Sequence, residues 1–334
     1  MNIDTDFETI RKSLTGDKKN DVNLLFHAID EYSDRPYAAE LINRIGDLLG
    51  EIINGCDQKT AEFLNDYIQR QVRKNYDQKL NEIKKLVDNG KYEEALTASY
   101  ELEKELMNSI EKAKSANPRN NYSFRFYFSP MEYDIGNLYF PGNNILLPID
   151  PVSLYTLRGQ ALFFLKRDEE AIDSIRKGFD YDPCSVDLCF LLADIEKERY
   201  RSISYLSYVE KAKEYIYQEN DFFRYLRYLI DFYTNIEKEK KTAKELEFLL
   251  KNAKTYKSLV TPSMKDAKLR TKQNTILKHL SLKGIDFHVS ETVLTTAVSA
   301  YRDCLATGDH EGTNYYKAVL NTFLTPKDKK ELGI

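Results

Sequence analysis

Between Asp150 and Pro183 the chain reads DPVSLYTLRGQALFFLKRDEEAIDSIRKGFDYDP. Apolar residues recur every three or four positions on either side of a tight, charged turn, which predicts two short amphipathic helices. Asp150 is placed to cap the first helix, and Pro151 suits its first position. A helix pair of this size buries its apolar stripes only against neighbours of the same kind. This stretch therefore constrains the fold more than any other, because the rest of the chain has to supply further helix pairs.

It has the patterns to do so. Val22, Leu25, Ala28, Ile29 and Tyr32 mark a helix over 19–34, which Arg35-Pro36 ends. Pro36 can open the next helix, which carries Ala39, Ile42, Ile45, Leu49, Ile52 and Ile53 and stops at Gly55. Asp57 is a candidate cap for a long helix with the stripe Leu64, Ile68, Val72, Tyr76, Leu80, Ile83 and Val87. It is either one helix of about 50 Å or two with a break near Asn75 to Asp77. Lys91 to Leu96 starts a helix lasting to about Lys114. After Pro183 helices are expected near 186–199, 202–218, 221–237, 240–256, 263–281, 289–307 and 309–324. Thr325-Pro326 then caps a short terminal helix. Only 13 glycines and 9 prolines occur, several at these joints, so the fold class is all-α.

Residues 117–149 break the pattern. Tyr122, Phe124, Phe126 and Phe128 alternate with other residues, a period of two that reads as strand, among Pro130, Gly136, Pro141, Gly142 and Pro148. Asn143-Asn144 suits a turn before Ile145-Leu146-Leu147. The expectation is an extended, hairpin-like aromatic insertion. It either covers the back of one helix pair or packs along the binding face as a lid over 122–147.

Tyr155, Gly159, Ala171 and Pro183 fall in register with the pattern of a tetratricopeptide repeat, which Asp150–Pro183 resembles. Arg158, Leu162, Ile175 and Gly178 depart from that pattern. Ala95 and Ala243 stand in the role of Ala171 in weaker units, whereas the unit near Val186 has Tyr205 there. The resemblance covers 150–256 best, with an irregular helical bundle as the other architecture. It implies a right-handed solenoid whose first helices line a concave face, and a function of binding proteins or peptides. The expected organisation is an N-terminal helical region with one degenerate repeat (1–116), the aromatic insertion (117–149), the repeats (150–256) and a C-terminal helical cap (257–334).

Other functions have little to stand on in the sequence. A net charge of −4 from 49 basic and 53 acidic residues, well mixed, gives no basic patch for nucleic acid. There is no Cys-x-x-Cys among Cys56, Cys184, Cys189 and Cys304, and His27, His279, His288 and His310 are far apart, so no metal site is expected. No phosphate loop, nucleophile elbow or triad signature appears, so neither a cofactor nor catalysis is expected. The polar N-terminus and the lack of an apolar run of about 18 residues point to the cytoplasm, away from membranes. The functional expectation is a scaffold or adaptor. A sensor of a small peptide or ligand, or an enzyme of another type, are the alternatives. Carried over from the resemblance, the groove residues are Gln160, Phe163 and Phe164 on one helix. Asp187, Phe190, Asp194 and Lys197 follow on the next, then Tyr225, Tyr228 and Phe232 on the third.

Overall fold

A computed structural model describes residues 2–32, 35–56, 58–116, 123–147, 149–260 and 267–332. The chain forms two compact units, Met1–Asn81 and Glu82–Ile334. The first holds α1 (Ile3–Ser13), α2 (Lys18–Glu31), α3 (Ala38–Asn54) and most of α4 (Gln58–Asp88). Val22, Leu25, Leu41, Ile45 and Leu64 make its core together with Ile10, and Asn2 and Asp17 cap α1 and α2 through their side chains. The apolar spacing of α1 is too short to have marked it in the sequence. Pro36 does not open α3, which starts two residues later after Tyr37. α4 is a single unbroken helix, and its expected cap at Asp57 lies outside the described residues.

The second unit continues with α5 (Tyr92–Ala116), β1 (Ser123–Arg125), α6 (Pro130–Tyr139), β2 (Asn144–Leu146), α7 (Pro151–Phe164) and α8 (Asp168–Phe179). Then come α9 (Val186–Glu198), α10 (Ser202–Tyr215) and α11 (Glu219–Asp231), which runs on as a π-helix over Phe232–Ile236. α12 (Lys240–Asn252), α13 (Tyr256–Val260), α14 (Ala267–Leu282), α15 (Glu291–Thr307), α16 (His310–Phe323) and α17 (Pro326–Leu332) complete it. The described residues are thus mostly helical, with one small sheet among them. No described helix is long and apolar enough to cross a membrane.

One turn recurs through this unit. Gly90, Lys166, Tyr200 and Lys238 all have left-handed backbone, at φ 74°, 61°, 57° and 56°. Each lies two residues before a new helix, at α5, α8, α10 and α12. The residue after it donates its N–H back to a helix carbonyl: Lys91 to Leu86, Arg167 to Leu162, Arg201 to Glu196 and Glu239 to Tyr233. This closure satisfies carbonyls that a helix end would otherwise leave open. Lys166 and Tyr200 are 34 residues apart. Five residues beyond each turn stands a buried residue, in order Ala95, Ala171, Tyr205 and Ala243. α7 packs on α8, α9 on α10 and α11 on α12, while α8 meets α9 and α10 meets α11.

Inside the best-formed pair, Gly159 brings α7 against α8: a Cβ there would meet Ile175 at 2.8 Å. α8 ends at Phe179, so Pro183 lies in the link to α9 and does not itself stop the helix. Arg158 is buried, which explains its departure from the repeat pattern. It reaches back across the insertion to α5, pairing with Glu103 at 2.6 Å and donating to the Ser99 hydroxyl and carbonyl at 3.0 and 2.6 Å. The Tyr100 ring lies 4.2 Å from its guanidinium. α5 and α7 therefore pack together as though the insertion were absent.

The insertion is not a hairpin. β1 and β2 pair in parallel, Phe124 opposite Ile145, with α6 as the crossover that parallel strands require. The residues that looked like breakers are helix signals: Ser129 caps the Glu132 N–H, Pro130 takes the first position and Pro141 follows the end. Gly136 sits under the Tyr127 ring, so close that a Cβ would overlap it. Tyr122 and Pro148 lie outside the described residues. α6 packs on α15, and its Met131 and Ile135 enter the core that holds Phe190, Tyr205 and Leu226.

Candidate partner-binding face

Helices α9 and α11 place matching polar steps side by side. On α9 these are Asp187, Asp194 and Lys197; on α11 they are Asp221, Arg224, Tyr228 and Asp231, three or four residues apart and thus on one helix face. Arg224 pairs with Asp187 and lies 4.4 Å over the Phe190 ring. Phe190 stacks on Tyr228 with centroids 4.5 Å apart. The Tyr228 hydroxyl donates to Asp194 at 2.9 Å, and Lys197 pairs with Asp231 at 2.8 Å. Behind them the Tyr205 hydroxyl donates to the Tyr228 carbonyl at 2.9 Å and to Asp231 at 3.2 Å.

Burial tunes these groups. It raises the Asp194 carboxyl, against the lowering effect of the Tyr228 hydrogen bond. It raises Asp221 too, with the Asp187 charge adding to the effect. Burial also pushes Asp231 upward, but the hydrogen bond from Lys197 and its other partners outweigh this and leave it below the ordinary carboxylate range. Four carboxylates thus face two cations on a stripe whose charged groups remain partly open to solvent.

Of the residues expected in the groove, the structure joins Asp187, Phe190, Asp194, Lys197 and Tyr228 in this stripe. Phe190 is fully buried and serves as its floor. Tyr225 and Phe232 are core side chains on other faces of α11 and the π-helix: the Tyr225 hydroxyl donates to Glu210, and Phe232 stacks on Tyr205 at 5.9 Å. Gln160 and Phe163 on α7 are half-buried, and Phe164 is exposed and stacks on Tyr92 at 4.9 Å. Asp221, Arg224 and Asp231 were missed, although the 221-224-228-231 spacing marks the polar side of an amphipathic helix.

The insertion borders this stripe without covering it. Glu132 accepts from the Phe128 N–H at 2.6 Å and from the Tyr217 hydroxyl at 3.2 Å, just before α11 begins. Phe126 and Phe128 pack edge to face on each other at 5.0 Å, while Phe190 stacks on Tyr228 and Phe232 on Tyr205. Among the described residues no group of His, Cys, Asp or Glu is arranged to hold a metal ion. Comparison of the chain with protein-family models, with curated proteins and with solved structures returned no match.

Proposed function

We propose that this chain is a non-enzymatic, protein- or peptide-binding repeat protein of tetratricopeptide type, working in the cytoplasm through the first-helix face of α9 and α11. The 34-residue step from Lys166 to Tyr200 and the small residues five positions after three of the turns support the repeat. The observation that carries the function is the stripe itself. Its ion pairs are assembled but open to water, and such pairs contribute only about 0–1 kcal/mol each to stability. A partner can therefore take them over at little cost to the fold. The reading of 122–147 as a lid gains no support, because α6 is anchored by buried Met131 and Ile135, by Tyr217 on Ser129 and Glu132, and by Tyr316 on Asp134.

The test is an immobilised peptide array probed with the full-length protein and with a Lys197→Glu/Arg224→Glu variant whose circular dichroism matches it. Spots bound by the natural chain should lose about tenfold or more in affinity with the variant, equivalent to at least about 1.4 kcal/mol. An identical array profile for the two proteins would remove α9 and α11 as the binding face.

A further inference from the structure

The third of the turns described above is unlike the others, and unlike the same turn at Gly308 before α16, where the Asp309 N–H donates to the Cys304 carbonyl and Glu311 stands three residues on. At the left-handed position the four carry Gly90, Lys166, Tyr200 and Lys238, and three residues later Glu93, Glu169, Ile203 and Lys241. Only the third turn is apolar at both, and there Tyr200 is 96% and Ile203 87% exposed. Beside it lies a groove of about 370 Å³ between α10 and the π-helix, lined by Ile203, Leu206 and Phe232.

The same unit explains the groove. Tyr205 occupies the position that Ala95, Ala171 and Ala243 fill after their turns. Its hydroxyl donates to the carbonyl of Tyr228, which also accepts the Phe232 N–H in the last α-turn of α11, at the point where the π-helix begins. The Tyr205 ring stacks on Phe232, the first residue of the π-helix, and π-turns of this kind are frequent at functional sites. Two departures from the repeat therefore converge on one place: Tyr205 reshapes the wall and Ile203 opens the rim.

We infer that this groove is a second docking site, separate from the α9–α11 stripe, for a partner segment with an aliphatic side chain next to a lysine or arginine. Charge complementarity selects that partner. The charged side chains lining the groove, Glu210 and Glu237, are both carboxylates. Arg201, which stands between Tyr200 and Ile203 on the turn, leans towards Glu196 at 3.8 Å. The apolar lining receives the aliphatic group and the carboxylates receive the cation.

Fluorescence anisotropy on the full-length protein, with two synthetic amphipathic helical peptides of equal length, tests this. One peptide is built from leucine and lysine, the other from leucine and glutamate. The leucine–lysine peptide should bind at least about tenfold more tightly. Ile203→Asp, at an exposed position that leaves the core intact, should abolish most of that binding. Glu237→Lys should erase the preference, and Asp194→Asn on the stripe should change neither. Wild-type affinity in Ile203→Asp would overturn the inference. So would a dimer in analytical ultracentrifugation that Ile203→Asp dissociates, since a second copy of the chain would then be the occupant.

Discussion

At the scale of single residues, Tyr200 carries a local cost. A side chain at left-handed φ is disfavoured by roughly 1–2 kcal/mol relative to ordinary backbone, and glycine escapes this at some loss of entropy. Gly90 shows the same turn made by the unstrained residue. Tyr200→Gly should therefore stabilise the protein by about 1 kcal/mol in urea denaturation, while weakening capture at the neighbouring groove. A loss of stability instead would mean that the exposed ring has packing partners. The turns also show what sequence can reveal at this scale. Gly90 and Gly308 announce their left-handed backbone, but Lys166, Tyr200 and Lys238 adopt it with nothing in their chemistry to advertise it. Likewise, Phe190, Tyr225 and Phe232 could be placed on helices but not assigned to groove or core. That choice depends on which helix faces which neighbour.

Among the elements, the seam between α5 and α7 depends on Arg158 and Glu103. Glu103 also accepts from Tyr155 at 2.8 Å and from Lys177 at 3.2 Å. Burial would raise its carboxyl, but these bonds together with Arg158 hold it below its ordinary value. Removing one member of a buried pair typically costs about 3–5 kcal/mol, whereas replacing both by apolar residues can be neutral. Arg158→Leu should destabilise by that amount in thermal unfolding. Adding Glu103→Leu should return most of it, and additive losses in the double variant would refute the coupling. Most of the helices were legible as periodic stripes, with α4 open to one helix or two; the short α1 and α13 were not. α6 was not, because Pro130, Gly136 and Pro141 each have both a breaking and a helix-bounding use, and only the Ser129 cap distinguishes them. Three-residue strands are likewise too short for a period of two to specify direction.

On the scale of the whole molecule, pH acts through carboxylates buried where α6 and the α8–α9 link meet the core. Asp182 is fully buried; one oxygen accepts the Cys184 N–H at 3.0 Å and the other has no partner. Burial raises its carboxyl well above the ordinary value, the Glu132 and Asp150 charges add to this, and Arg125 opposes it. Burial raises Glu132 as well. Groups raised on folding stabilise fully below their unfolded value of about 4, and that contribution is lost as pH rises through the folded value. Asp182→Asn should thus unfold at a higher temperature than the natural chain at pH 8, with the gap closing towards pH 4. An unmet buried acceptor costs about 1–3 kcal/mol, and each kcal/mol shifts Tm by about 2–4 °C in a domain of this size. A gap that widens on acidification would show that Asp182 is charged and paired in the fold.

The seam at Arg158 has a kinetic meaning too. Its bond to Glu103 spans 55 positions, whereas helices α7 to α12 meet their partners in order along the chain. Closing a loop of that length costs about 3–4 kcal/mol of chain entropy before any contact repays it. Helix pairs joined by short turns form early, and contacts between distant positions come late. The insertion thus predicts a timing: α5 is expected to join after the helices from α7 onward have packed, because its bond to Arg158 must close the longer loop.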